Sequence, residues 1–117
     1  MGNLAQRSMD EEQSNVLKKI KEIILSIARK HGIEVDRVIL FGSRARGDYR
    51  EESDWDILVV CKNKLSEKEK WDFWEKIMES LFQYNIELFI ISLEEFEKYK
   101  DVPGTLERYS CVEGIAV

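Results

Sequence analysis

The chain is poor in the residues that cross-link a fold or seat a transition metal. Its 117 residues include two cysteines and one histidine. With no CxxC pair among them, they cannot assemble a Cys/His zinc site, which takes about four such ligands at fixed spacing. Cys61 closes an apolar run and reads as a small buried hydrophobe. A disulfide to Cys111 stays open, but nothing calls for an oxidising compartment, and a cytoplasmic location is expected. No apolar run approaches the roughly 18 residues of a membrane span. The N-terminal stretch MGNLAQRSMDEEQS lacks the apolar core of a secretory leader. One proline and six glycines exclude collagen-like and low-complexity classes. A basic excess is missing too: 18 Lys and Arg against 23 Asp and Glu give a net charge of −5. That excludes general nucleic-acid binding through a broad basic face, while leaving local basic patches open.

What is present describes a small α/β (α+β) protein. Hydrophobic residues at 44% and charged residues at 35% suit a globular chain with one core. Residues 1–9 are polar and unpatterned and are expected to be a flexible tail, leaving 10–117 as a single domain. From Asp10 to Lys30, apolar residues at Val16, Leu17, Ile20, Ile23, Ile24, Ile27 and Ala28 recur at helical spacing, with Gly32 as the stop. Arg37–Phe41 reads as a buried strand halted by Gly42, and Ser53–Cys61 as a second. Ser66-Glu67-Lys68-Glu69 is a capping box opening a helix with the stripe Phe73, Trp74, Ile77, Met78, Leu81 and Phe82. Asn85–Ser92 predicts a third strand, Leu93–Tyr99 a short helix, and Thr105–Val117 a last helix weakened by Gly114. The order predicts a single small mixed β-sheet flanked by helices.

One stretch departs from what packing alone would write. After the first strand, Gly42-Ser43 makes a turn, and the next strand opens with Asp54 and Asp56. Strand alternation puts both aspartates on one face. Two such carboxylates repel unless a cation or proton sits between them, and Mg²⁺ with its oxygen ligands resolves the conflict. Solvated acids at a strand end are the plainer alternative. Gly42 permits a sharp turn and close approach of a ligand, and Ser43 is expected to cap a short helical segment suited to phosphate. An ordinary cap is the competing reading. Glu87, a lone carboxylate inside the apolar run Asn85–Ser92, is hard to explain by packing, unless that strand lies at a sheet edge with Glu87 in solvent. Arg46 suits phosphate oxygens or a local ion pair with Asp48 or another acid. Arg44 reads as surface, and Tyr49 and Trp55 as packing or as the rim of a site.

The segment GSRARGDYREESDWDILVV resembles the signature of the DNA polymerase β-like nucleotidyltransferase superfamily. More narrowly, it is similar to the minimal nucleotidyltransferases, whose pattern is G-S-x-A-R-G, five residues, then S-D-x-D-[LI]. Gly42, Ser43, Ala45, Arg46, Gly47, Ser53, Asp54, Asp56 and Ile57 match it, and the likeness extends over about Val35–Ser92. It implies a nucleotidyltransferase fold over residues 10–117. It also implies two Mg²⁺ ions held by Asp54 and Asp56 with a third acid, matched here by Glu87 where aspartate is commoner. Gly42, Ser43 and Arg46 would then meet the phosphates of ATP or another NTP. The implied reaction moves a nucleoside monophosphate to a hydroxyl and releases pyrophosphate. Proteins resembling this one often act as antitoxins encoded beside a helical HEPN-type RNase toxin, some of them AMPylating a toxin tyrosine. By analogy the acceptor is such a partner protein. The alternatives are a catalytically weak binding antitoxin and a small-molecule nucleotidyltransferase working as a homo-oligomer.

Overall fold

The computed structural model describes residues 10–117, so the tail expected over residues 1–9 lies outside the described residues. Helix α1 (Glu11–Lys30) begins at an Asp10 cap whose carboxylate accepts from the Gln13 N–H and buries Leu17, Ile20, Ile24, Ile27 and Ala28 along one stripe. At its end the Gly32 and Ile33 amides return to the carbonyls of Arg29 and Ala28. Gly32 sits at φ +69, the left-handed conformation such a helix stop requires. Strand β1 (Val35–Phe41) follows, then the single-turn helix α2 (Ser43–Arg46), strand β2 (Trp55–Cys61), helix α3 (Glu67–Ser80) and strand β3 (Ile86–Ser92). Helices α4 (Leu93–Tyr99) and α5 (Leu106–Glu113) precede a two-residue strand β4 (Ile115–Ala116). The capping box of α3 forms in both directions between Ser66 and Glu69.

The four strands form one mixed sheet in the order β3-β2-β1-β4, so β3 is an outer strand. β2 runs antiparallel to β1 and parallel to β3. Alternation divides the apolar residues between two layers. Val38, Leu40, Ile57, Val59, Leu88 and Ile90 face α1 and α3 and pack with Ile20, Ile24, Phe73 and Ile77. Ile39, Phe41, Leu58, Val60 and Ile91 form a smaller cluster on the opposite face with Phe96 of α4, against which Leu106 of α5 packs. Both cysteines are free, Cys61 buried and Cys111 exposed. Burial pushes the Cys61 thiol up to about 11, as suits a packing residue. No helix among the described residues is long and apolar enough to cross a membrane.

Three local expectations are corrected. The last helix stops at Glu113, and residues 115–116 instead pair with Leu40 and Ile39 of β1. An ideal Cβ on Gly114 would lie 2.1 Å from the Ser110 carbonyl oxygen and 2.4 Å from Ile39, so the chain turns there in space only glycine leaves. Phe82 is 83% exposed, because α3 ends one residue before its Leu81 cap and the stripe runs out with it. Asp54 precedes β2 by one residue rather than lying within the strand.

Candidate active site

The end of the sheet where β1 leaves and β2 and β3 enter carries the acidic residues. Phe41, Asp56 and Glu87 are aligned across it as neighbours, Phe41 opposite Asp56 and Asp56 opposite Glu87. Paired residues share a face, which here is the face covered by α4 and α5. Asp54, two residues before Asp56, joins them. One carboxylate oxygen from each of Asp54, Asp56 and Glu87 lies within 4.8 Å of the others. Asp54 and Glu87 are exposed and Asp56 is half-buried. The edge position and the cluster thus turn out to be compatible: β3 is an outer strand, and its parallel register still brings Glu87 to Asp56.

The cluster's electrostatics follow from that convergence. Burial, the charge of Glu87 and that of Asp54 push the Asp56 carboxyl from its ordinary range up to about 6, while Arg46 opposes the rise. Three acids in this arrangement are the hard oxygen set a divalent cation takes, and a cation there removes the repulsion. Among the described residues this is the one group of three or more potential metal ligands so placed.

Gly42 closes the cluster from behind. It has φ +79 and ψ −160, outside the range of ordinary side-chain-bearing residues. Its missing side chain leaves the space that the Asp56 carboxylate fills. Gly42, and not Ser43, is the N-cap of α2; Ser43 is the first helical residue, so its hydroxyl is not committed to capping. The Ala45 and Arg46 amides close the turn onto the Gly42 carbonyl at 3.1 and 3.0 Å.

The two arginines of this turn have opposite fates. Arg46 is on the surface and is held by acids: its Nη1 donates to Glu113 at 2.8 Å and to the Tyr109 hydroxyl at 2.9 Å, and its Nε lies 3.3 Å from Asp48. The hydrogen bond to Glu113 and that to Asp48 raise its already high pKa further. The ion pair weighed for Arg46 is therefore formed, with Glu113 as the nearer acid.

Arg44, expected at the surface, is instead 5% exposed. Its guanidinium donates to the carbonyls of Ser53 (2.9 and 3.1 Å), Glu51 (3.0 Å) and Arg50 (3.4 Å), and to the Gln13 side chain. It lies 4.3 Å from the Trp55 ring centre and 4.9 Å from that of Tyr49. A planar five-donor fork suits several carbonyls at once. Arg44 thereby fixes the loop that delivers Asp54, and Trp55 and Tyr49 pack around it. Sequence reasoning missed Arg44, Tyr109 and Glu113, because their partners lie 6 to 67 residues away and no local pattern announces them.

The chain is similar to known proteins over most of its length. The family model described as Polymerase beta, Nucleotidyltransferase matches residues 18–101. A relative in Methanocaldococcus jannaschii, named as a candidate protein adenylyltransferase, is 41% identical over 76 residues, covering 65% of this chain and 70% of its own. The crystal structure of a candidate nucleotidyltransferase from Sulfolobus solfataricus is 26% identical with a TM-score of 0.61, over 91% of this chain and 82% of that one. A toxin–antitoxin complex solved with AMP-PNP shares the fold at 18% identity and a TM-score of 0.52, over 81% of this chain and 69% of the other.

Proposed function

The chain belongs to the Polymerase beta nucleotidyltransferase family, and on that premise we propose that this nucleotidyltransferase moves AMP from ATP to a hydroxyl of a partner protein, residues 10–117 acting as one catalytic unit. The observation that carries the reading is the convergence of Asp54, Asp56 and Glu87 within 4.8 Å. The protein acceptor is supported by the relative named for protein adenylyltransfer. A helical toxin of the HEPN type is the partner that fits, in the cytoplasm, with this chain as its AMPylating antitoxin.

Asp54 and Asp56 would hold Mg²⁺, with Glu87 as the third ligand on the acceptor side. Two Mg²⁺ ions, when bound, would neutralise the three acids and withdraw charge from the α-phosphate and the attacking oxygen. The Gly42-Ser43 turn would meet the β- and γ-phosphates, with Ser43 supplying a hydroxyl not committed to capping. Arg46 would exchange Glu113 for phosphate oxygens, a swap between two anionic partners for one guanidinium fork. The acceptor oxygen forms a bond to the α-phosphorus as the α–β anhydride bond breaks. Pyrophosphate leaves, and Glu87 Oε takes the hydroxyl proton. Catalysis on this scheme is positioning and charge neutralisation.

The test is incubation with each α-labelled NTP, Mg²⁺ and the protein encoded next to this one, followed by location of the label. Label from ATP on a tyrosine of that protein, lost in an Asp54→Asn, Asp56→Asn variant, supports the reading. Neutralisation of the partner by that variant with no label anywhere overturns it in favour of a binding protein.

A further inference from the structure

Strand β3 leads from Glu87 into a groove that the transfer chemistry leaves unused. About 530 Å³ of space lies there between β3, α3 and the α4–α5 pair. Trp71 and Trp74 form one wall, stacked with ring centres 5.3 Å apart and planes 19° from parallel. Trp71 is 58% exposed, while Trp74 is anchored by its indole N–H, which donates to the Leu88 carbonyl at 3.2 Å. Glu95 of α4 and Glu107 of α5 line the same space.

The two acids are the anomaly. Glu107 is 7% exposed, and among the described residues no Lys, Arg or His nitrogen lies within 4.0 Å of either carboxylate. Burial, and then a hydrogen bond to Glu107, raise the Glu95 carboxyl above its ordinary range. Lys70 lines the groove beyond ion-pair distance, and its charge and that of Lys64 partly oppose the rise at Glu95. The first turn of α5 offers Glu107 a favourable dipole, but a buried carboxylate facing a second acid with no cation in contact still costs free energy.

Charge and shape agree on what would relieve it. Indole faces attract cations, and a guanidinium both stacks on flat rings and forks onto carboxylates. An inorganic cation gains nothing from stacked indoles, and among the described residues no third His, Cys, Asp or Glu ligand is gathered beside these two acids. Strand addition along β3 is blocked at Leu88, whose carbonyl Trp74 already occupies. We propose that this groove docks an arginine side chain presented by a peptide segment of a protein partner, the guanidinium lying on Trp71 and pairing with Glu95 and Glu107. The docking reading does not depend on the transfer chemistry.

The experiment titrates the full chain with the capped tripeptide Leu-Arg-Leu and with its citrulline analogue, which keeps the shape and removes the charge. The indole N–H signals of the three tryptophans are followed by NMR, with Trp55, buried beside Arg44, as the internal control. Saturable shifts at Trp71 and Trp74 but not Trp55 are expected, with binding at least tenfold weaker for the citrulline peptide. The same loss is expected in a Glu95→Gln, Glu107→Gln variant and, should that variant fold poorly, in Glu95→Gln alone. Lys70→Gln should bind no worse, because it removes a like charge from the groove. Equal binding of both peptides, undiminished binding by the Gln variants, or no saturable shift at millimolar peptide would overturn the proposal. Spermidine binding as tightly as the arginine peptide would also overturn it, by making this a small-amine site, as would self-association that the peptide reverses.

Discussion

A methyl group on Gly42 would lie 2.0 Å from Oδ2 of Asp56, so the carboxylate occupies the space that any other residue's side chain would claim. Gly42→Ala should therefore displace Asp56 as well as strain the turn at φ +79. A loss of about 1–3 kcal/mol in stability is expected from the backbone alone. Metal binding should weaken beyond what that loss explains. Calorimetric titration with Mn²⁺ checks this; wild-type affinity in a folded Gly42→Ala protein would show that Asp56 has other room.

A pH dependence follows from Asp56. Its carboxyl is raised from 3.8 to about 6, so the folded, metal-free protein holds this proton more tightly than the unfolded chain does. Between about pH 4 and 6 the folded state binds more protons, and stability must fall as pH rises through that window. Asp56→Asn removes this contribution, and Mg²⁺ should offset it in the wild type. Urea midpoints across the range, in EDTA and in Mg²⁺, report the difference between the two proteins. Parallel curves in EDTA would count against the repulsion inferred for the cluster.

Arg44 should prove indispensable although it touches no acid of the cluster. Arg44→Met strands the carbonyls at Arg50, Glu51 and Ser53, at a cost of about 2–4 kcal/mol. Arg44→Lys should recover little of it, since one ammonium cannot span three carbonyls and two rings. Thermal unfolding measures both. A Lys variant as stable as the wild type would reduce Arg44 to a generic buried cation.

Glu87→Gln should lower nucleotidyl transfer by about 10²-fold or more while leaving NTP affinity nearly unchanged, because the triphosphate is assigned to the Gly42-Ser43 turn. Glu87→Asp shortens the reach but keeps the charge and should keep transfer. Single-turnover rates and NTP binding separate the two steps. Unimpaired transfer in Glu87→Gln would remove Glu87 from the chemistry.

Much of this architecture was legible before any coordinates, and the reason is locality. The α1 stripe, the Ser66–Glu69 box and the β-rich runs around Ile39, Leu58 and Ile90 are written in short windows and appear where expected. The acidic cluster was legible through a different kind of signal: Asp54, Asp56 and Glu87 are residues that packing would not choose. Arg44 was misread because its burial depends on carbonyls of a loop with no periodicity. Strand β4 was missed because two residues after Gly114 carry no pattern, and their pairing with Leu40 and Ile39 is decided by where α5 ends.

The place of Glu87 on the outer strand has a dynamic consequence. Strand β3 is laddered to β2 alone, and Glu87 is its second residue, so this end can fray while the rest of the sheet stays closed. Fraying withdraws one of three acids, which lowers the repulsion and lets the metal-free site relax by breathing. A bound cation ties Glu87 to Asp54 and Asp56 and closes that motion. Amide hydrogen exchange over Ile86–Leu88 would thus act as a gauge of cation occupancy, fast when the acids repel and slow when they are bridged, with no substrate or partner in the tube.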